Sequence, residues 1–505
     1  MDRRTVLILG GIFILAYFLR VMFLPQGALT FGYDQARDAF VTGEIIGGDW
    51  KILGPPASTP GLYHGVFYYY FLVPAYILSR NPLVAAYWTA LFNAGVVLIV
   101  YLLAYLMTKR KSAGFVSAFL FAISFESTQY AVWLSNPTLG VWTVPVLYLG
   151  LWLWVNEKYK TVGSVLTALG LALSIQSEIF LAYHIIPVML WLFYQKKKIR
   201  MNELMKFMGV FGIGLLTMLL VELKFGFKGI AGAFSLLSTG ESVSHGKSLG
   251  DFVVLFLNQI GRVYGNNSYP GNVAYGAILV VFLMFYSIYK WNKKGFSWEP
   301  FLVVWLMSHL TVVSVGGTST PFLLVGIGPA VSIILGIWLS HWFKNNKVVV
   351  SMVLILLMIG NLSMIQKENA RGQTIFAIQK DLLLSNELKA IDYTYSSAHK
   401  ENFSVNTLTS PLWINTVWSY LYNWYGSEKY GYLPYWHGRD QVGRLGNNLK
   451  DIDEHVTKMY LIKEPLQGIP PGFVIETVEN EDRISRLVDE VYYGELVVQK
   501  RERID

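Results

Sequence analysis

Long apolar stretches recur along most of this chain, and they dictate what it can fold into. A bilayer core about 30 Å thick takes roughly 20 apolar residues per helix. Eleven stretches are candidates: 5–24, 83–107, 113–127, 138–156, 161–177, 179–194, 204–223, 273–290, 299–315, 321–342 and 347–365. Hydrophobic residues make up 53% of the 505 and charged residues only 15%, too little polar cover for a water-facing exterior. The expected fold class is a polytopic all-α membrane protein of about eleven transmembrane helices, with a soluble α/β domain at the C-terminal end.

The positions of the charges test that count. Numbered from an inside N-terminus, Arg3, Arg4, Lys109, Arg110, Lys111, Lys158, Lys160, Lys196, Lys197, Lys198, Arg200, Lys290, Lys293, Lys294, Lys344 and Lys347 all fall on the cytoplasmic side. The short opposite connections near 128–137, 177–178 and 316–320 contain no lysine or arginine. This is the positive-inside pattern, so the net charge of +8 reports topology and not nucleic-acid binding. The first stretch reads as a retained helix, because no small-residue cleavage site follows at "RVMFLPQG". The chain has no cysteine, which excludes disulfides and cysteine-held metals. The expected location is the cell membrane of a prokaryote.

A membrane module over 1–366 is expected to carry outer loops at 25–82 and 224–272, followed by an extracytoplasmic domain over 367–505. In that domain "KMYLIKE", "GFVIETVE" and "GELVVQKR" read as strands, and "FAIQKDLLLSNELKAID" as a helix.

The first outer loop is the richest in chemistry. In "FGYDQARDAFVTGEII" Asp34 and Asp38 are four apart, so a helix puts them on one face with Arg37 beside them. Such a helix is too short to span and suits the membrane surface. Asp34 then either caps the helix or acts on a substrate. His64 precedes the aromatic run Phe67 to Phe71, which is either an interfacial belt or a sugar and phosphate contact. Glu126, Glu178 and Glu222 lie at outer helix ends within reach of water, whereas His184 and His309 fall deeper as packing residues. Lys224, Lys228, Lys247 and Arg262 in the second outer loop are candidate anion contacts. The chain carries neither a phosphate-binding G-x-x-x-x-G-K-[ST] loop nor an H-E-x-x-H metal motif.

These residues resemble the GT-C membrane glycosyltransferases, the superfamily of the protein O-mannosyltransferases and the lipid A aminoarabinose transferase. "YDQARDAF" resembles their acidic first-loop motif, with Gln35 where a second acid is common. "TPGLYHGVFYYYFLVPAY" resembles their His followed by a Tyr-rich helix. "QYAVWLSNPTLGVWTVP" resembles the stretch ending in Asn-Pro, here Asn136 and Pro137, with Val132 where an arginine often stands. "VELKFGFKG" resembles the start of the later outer loop.

The resemblance implies transfer of a sugar from a polyprenyl-phosphate donor to a hydroxyl of a glycan, lipid or protein, at the extracytoplasmic face and by inverting displacement. Asp34 would be the catalytic base. Tyr33, Gln35, Arg37, His64, Tyr69, Asn136, Glu222, Lys224 and Arg262 would contact sugar or phosphate. No cofactor or metal is obligatory in this reading, and the partners are the bilayer, the lipid-linked donor and the acceptor. The tryptophans of the last domain, Trp413, Trp418, Trp424 and Trp436, form either a sugar-stacking platform or a core. Two rivals are a lipid-sugar flippase or other transporter, which would concentrate polar groups at the midplane, and an oligosaccharyltransferase, whose W-W-D-Y-G motif is missing. A third is a noncatalytic scaffold.

Overall fold

The computed structural model describes all residues except 1, 58–60, 157, 233–247, 295, 311–320, 380, 440–446, 453–455 and 505, and omits the side chains of 292–294. The expected anion contact Lys247 and the connection 316–320 lie outside the described residues.

Among the described residues up to 368, apolar sequence is mostly helix. In order these are α1 (Arg3–Val21), α2 (Tyr33–Ile46), α3 (Phe67–Leu78), α4 (Pro82–Thr108), α5 (Lys111–Ile123), α6 (Phe125–Ala131), α7 (Gly140–Asn156), α8 (Lys160–Ser177), α9 (Ile185–Tyr194), α10 (Met201–Gly214), α11 (Leu216–Lys224), α12 (Leu249–Asn266), α13 (Val273–Lys294), α14 (Trp298–Leu306), α15 (Gly328–Phe343) and α16 (Lys347–Glu368). Five described segments are long and apolar enough to cross a membrane: 3–26, 82–108, 136–156, 273–291 and 347–371. A sixth forms if the pair α10–α11, bent by 55°, counts as one. Such spans make the chain an integral membrane protein. Several expected spans are instead short or broken helices. The stretch 113–127, for example, stops at Ile123, and α6 restarts at its Ser124 cap.

That break is stabilised by a buried cation. Arg20 of α1 donates to the carbonyls of Ala122 (3.0 Å) and Phe121 (3.4 Å) at the end of α5, and to Asn93 Oδ1 at 2.6 Å. Carbonyls that the helix cannot satisfy within itself thereby find a donor inside the bundle. Helices α7 and α8 lie close because Gly150, Gly163 and Gly170 face the partner backbone, where any Cβ would collide. Basic connections gather at one end of the bundle: Lys111 pairs with Asp2 at 2.8 Å, and Arg110 reaches His341 Nδ1 at 3.0 Å.

The tail folds as a six-stranded sheet in the order β3-β2-β1-β4-β6-β5, from β1 (Phe403–Leu408), β2 (Tyr435–Trp436), β3 (Lys450–Asp451), β4 (Lys458–Lys463), β5 (Ser485–Tyr493) and β6 (Leu496–Arg503). Strands β1 to β4 pair in parallel, while β6 runs antiparallel to both β4 and β5. Helices α17 (Leu384–Ala398), α18 (Thr416–Leu421) and α19 (Pro471–Ile484) complete the domain. The expected strands "KMYLIKE" and "GELVVQKR" are β4 and β6.

"GFVIETVE" is not a strand. It lies in α19, which Pro470 caps and Pro471 opens, a proline placement that favours a helix start. The expected helix over 376–392 begins only at Leu384, because Leu383 bridges to Thr30 and Phe31 N donates to Leu382 O. Trp418, Trp424 and Trp436 are buried, so they belong to the core and offer no sugar platform. Trp413 alone of the four is partly exposed, with Arg439 stacked 4.2 Å over it.

This domain does not hang free. Leu29, Phe31, Tyr69 and Tyr76 of the first loop share one continuous apolar core with Leu384, Trp418, Tyr420 and Val498. Polar stitches flank that core: Thr30 Oγ1 to Gly372 O at 3.0 Å, Leu384 N to Leu29 O at 2.9 Å, and Tyr420 Oη to Arg80 O.

Candidate active site

Helix α2 starts at Gly32, and the side chain that closes its first turn belongs to Gln35, not Asp34. Gln35 Oε1 accepts from Gly32 N at 2.9 Å, and its amide donates to Leu134 O at 2.8 Å. Of the two roles open to Asp34 in the sequence, the cap is thus overturned. Its carboxylate sits in the first turn, where the helix dipole favours negative charge.

Arg37 organises the site. Its Nη1 holds Asp34 Oδ1 at 2.7 Å, while Nε and Nη2 hold Asp38 Oδ1 at 2.9 and 2.7 Å. The Arg37 and Asp38 side chains are 8% and 2% exposed, against 57% for Asp34. Burial opposes the guanidinium charge, but Asp38 and Asp34 overcome it and hold Arg37 above the usual arginine range. Burial pushes the Asp38 carboxyl up to about 7, with Arg37 pulling it back. Arg37 also lies 5.6 Å over the Tyr33 ring. Tyr68 and Tyr69 of α3 are buried close enough for Asp38 and Arg37 to act on their hydroxyls.

His64 stands on the far side of this cluster. Its Nδ1 accepts from Ile179 N at 3.2 Å and lies 3.6 Å from Glu178 Oε1. Burial, reinforced by Arg37, lowers its pKa to about 3, so the ring is neutral with its proton on Nε2. The loop before α3 is pinned to the end of α8, with Gly65 N donating to Gln176 O at 2.8 Å. Asn136 braces the same α8 end, donating to Ser177 O at 2.5 Å.

The first-loop candidates therefore come together, and Gln35 and Asn136 act among them as struts. Glu222 stands at the end of α11, where its Oε2 accepts from Ile230 N at 3.1 Å. With His64 it lines an otherwise largely apolar cavity of about 390 Å³, walled by Ile175, Phe211, Leu215 and Leu219. Lys224 lies exposed two residues beyond Glu222. Arg262 makes its contacts elsewhere, 3.8 Å from Glu126 Oε1 and 3.5 Å from Pro321 O.

Water does not reach Glu126 and Glu178 as expected: they are 3% and 1% exposed, Glu126 being held by Asn267 Nδ2 at 3.0 Å. His184 and His309 are packing residues, bonded to Tyr148 Oη and Leu306 O. Glu178 and the aromatic run containing Tyr68 were singled out in the sequence, but not their places beside His64 and Asp38. A shelf where Trp133 stacks on Phe376 at 4.5 Å was not singled out at all.

Among the described residues no group of three or more His, Asp or Glu is placed to hold a metal ion. The Arg37 guanidinium bridges one oxygen of Asp34 and one of Asp38.

The fold, a helical membrane module with a sheet domain, is that of solved GT-C glycosyltransferases. It aligns with ArnT from Cupriavidus metallidurans bound to undecaprenyl phosphate at a TM-score of 0.60 and 10% identity, over 99% of this chain and 98% of that one. Apo ArnT gives 0.56 over 98% and 97%. The Archaeoglobus fulgidus oligosaccharyltransferase in complex with Zn and sulfate gives 0.53 at 15% identity, over 90% of this chain and 67% of that one. In the apo form of that oligosaccharyltransferase this chain spans only 63% of the length. At such identities the shared property is the fold. No family model matches the chain, and no curated protein matches it in sequence.

Proposed function

We propose that this protein is a membrane glycosyltransferase that moves one sugar from a polyprenyl-phosphate donor to an acceptor hydroxyl at the extracytoplasmic face. The observation that carries the reading is Asp34: a carboxylate more than half exposed, yet fixed in direction by a buried arginine. Asp34 takes the proton of the acceptor hydroxyl as that oxygen attacks the anomeric carbon. The bond from that carbon to the phosphate oxygen breaks in the same displacement, the electron pair leaves with the polyprenyl phosphate, and the configuration inverts. Placing the acceptor against a fixed base supplies much of the rate.

The apolar cavity beside His64 and Glu222 takes the first prenyl units, and Lys224, exposed just beyond Glu222, balances the departing phosphate. Trp133 offers a face for the sugar. The alignment with an undecaprenyl-phosphate-bound ArnT supports a lipid carrier, and the gathered basic connections support a cytoplasmic end opposite the site. No metal is obligatory in this scheme, so stringent chelation is expected to leave activity intact. The deciding experiment incubates purified protein in lipid nanodiscs with a panel of polyprenyl-phosphate sugars and follows release of polyprenyl phosphate by mass spectrometry. Turnover of one donor by the native chain, lost by at least about 10²-fold in a folded Asp34→Asn variant, supports the assignment. Intact donor crossing the bilayer without turnover would replace it with a flippase.

A further inference from the structure

A second cavity, of about 480 Å³, opens at the basic end of the bundle between the ends of α4, α13 and α15 and the start of α14. Helix α4 begins beside the Asp34 loop and ends at this cavity. Its 27 residues separate the two by roughly 40 Å. Arg110, Lys290 and His341 line it on the polar side, and Phe282, Tyr286 and Trp338 on the apolar side. Glu299, in the first turn of α14, is the single carboxylate among the described lining residues. Two basic side chains against one acid give the lining an excess of positive formal charge.

The donors are oriented. An arginine N–H can only donate, so the 3.0 Å contact makes His341 Nδ1 the acceptor and puts the imidazole proton on Nε2, a further donor. Lys290 Nζ is held 5.3 Å over the Tyr286 ring, which itself packs edge-on against Trp338 at 5.8 Å. The mouth opens beside outward-facing Trp342 (57% exposed), at the end of α15 where a spanning helix stops, and continues along α13 to Phe282 (58% exposed), about two turns farther into the bilayer than Lys290. Cations ringed by tryptophan and tyrosine at that level match a lipid phosphate with its chains on an apolar wall.

We infer that this cavity binds the phosphate headgroup of an anionic membrane lipid, with Arg110 and Lys290 on the phosphate and the chains running along α13. The site is independent of the reaction at Asp34. It is tested by native mass spectrometry of the full chain released from micelles doped with phosphatidylglycerol or phosphatidylcholine, with inorganic phosphate as a competitor. Retention of phosphatidylglycerol over phosphatidylcholine is expected, and Arg110→Gln/Lys290→Gln should weaken it roughly 30-fold. The charge-keeping variant Arg110→Lys/Lys290→Arg should retain most of it, which separates lost binding from lost folding. Equal retention by the glutamine variant with an unchanged melting temperature overturns the inference. Displacement of the lipid by equimolar inorganic phosphate also overturns it, by assigning the cavity to a free anion.

Discussion

Arg37 gives Asp34 a direction by spending its fork on two carboxylates at once. Lysine keeps the charge but not the fork. Arg37→Lys is therefore expected to lower kcat by roughly 10²-fold through misplacement of the base, with little change in KM, in the polyprenyl-phosphate release assay. Lys224→Gln should cost roughly tenfold in kcat/KM, the value of one charge-assisted contact. Because His64 is neutral from about pH 3 upward, His64→Gln should leave the shape of the activity–pH profile between pH 5 and 9 unchanged. The carboxylates were visible in the sequence through their spacing. Their unequal exposure was not, because the buried groups beside Asp38 include Tyr68 and Tyr69, which lie about thirty residues from it along the chain.

Elements built around buried carboxylates carry a pH signature. In the sheet domain Glu387 is fully buried at the start of α17, and Glu464, just after β4, accepts from Ser410 N at 2.9 Å and Trp418 Nε1 at 3.2 Å. Burial pushes Glu464 up to about 7; burial and then Glu464 push Glu387 well above the usual range. Both hold protons in the folded state that they release when unfolded, at about 4.3. Their contribution to stability is complete below that value; the Glu464 part is lost as pH rises through about 7, and the Glu387 part is lost as pH rises through its own raised value. Thermal unfolding from pH 5.5 to 8.5 should show a falling melting temperature that Glu387→Gln/Glu464→Gln flattens. In the bundle, Leu215→Trp should fill the cavity beside His64 and raise KM for long-chain donors while sparing short-chain ones. Helices were legible as long apolar runs, and β4 and β6 as short ones. The helix α19 was hidden because "GFVIETVE" is rich in the β-branched and aromatic residues of a strand, while the two prolines before it decide otherwise.

For the whole molecule, the shared core means that the sheet domain cannot be removed cleanly. Ending the chain at residue 371 would strip Phe31 and Tyr76 of Tyr420, leaving apolar surface where loop and domain now meet. Truncation is expected to give aggregated protein on size-exclusion chromatography, whereas Trp413→Ala, at a partly exposed ring, should leave the elution profile unchanged. The division into bundle and tail was readable from polarity, but their union was not, since no local pattern announces a partner hundreds of residues away. That distance has a cost in time. Thr30 meets Gly372 across 342 positions, and ribosomes add about 5–20 residues per second, so the first loop waits roughly 17 to 70 s for its neighbour. During synthesis Leu29 and Phe31 of the first loop stay uncovered at the membrane surface until the sheet domain that packs on them is delivered.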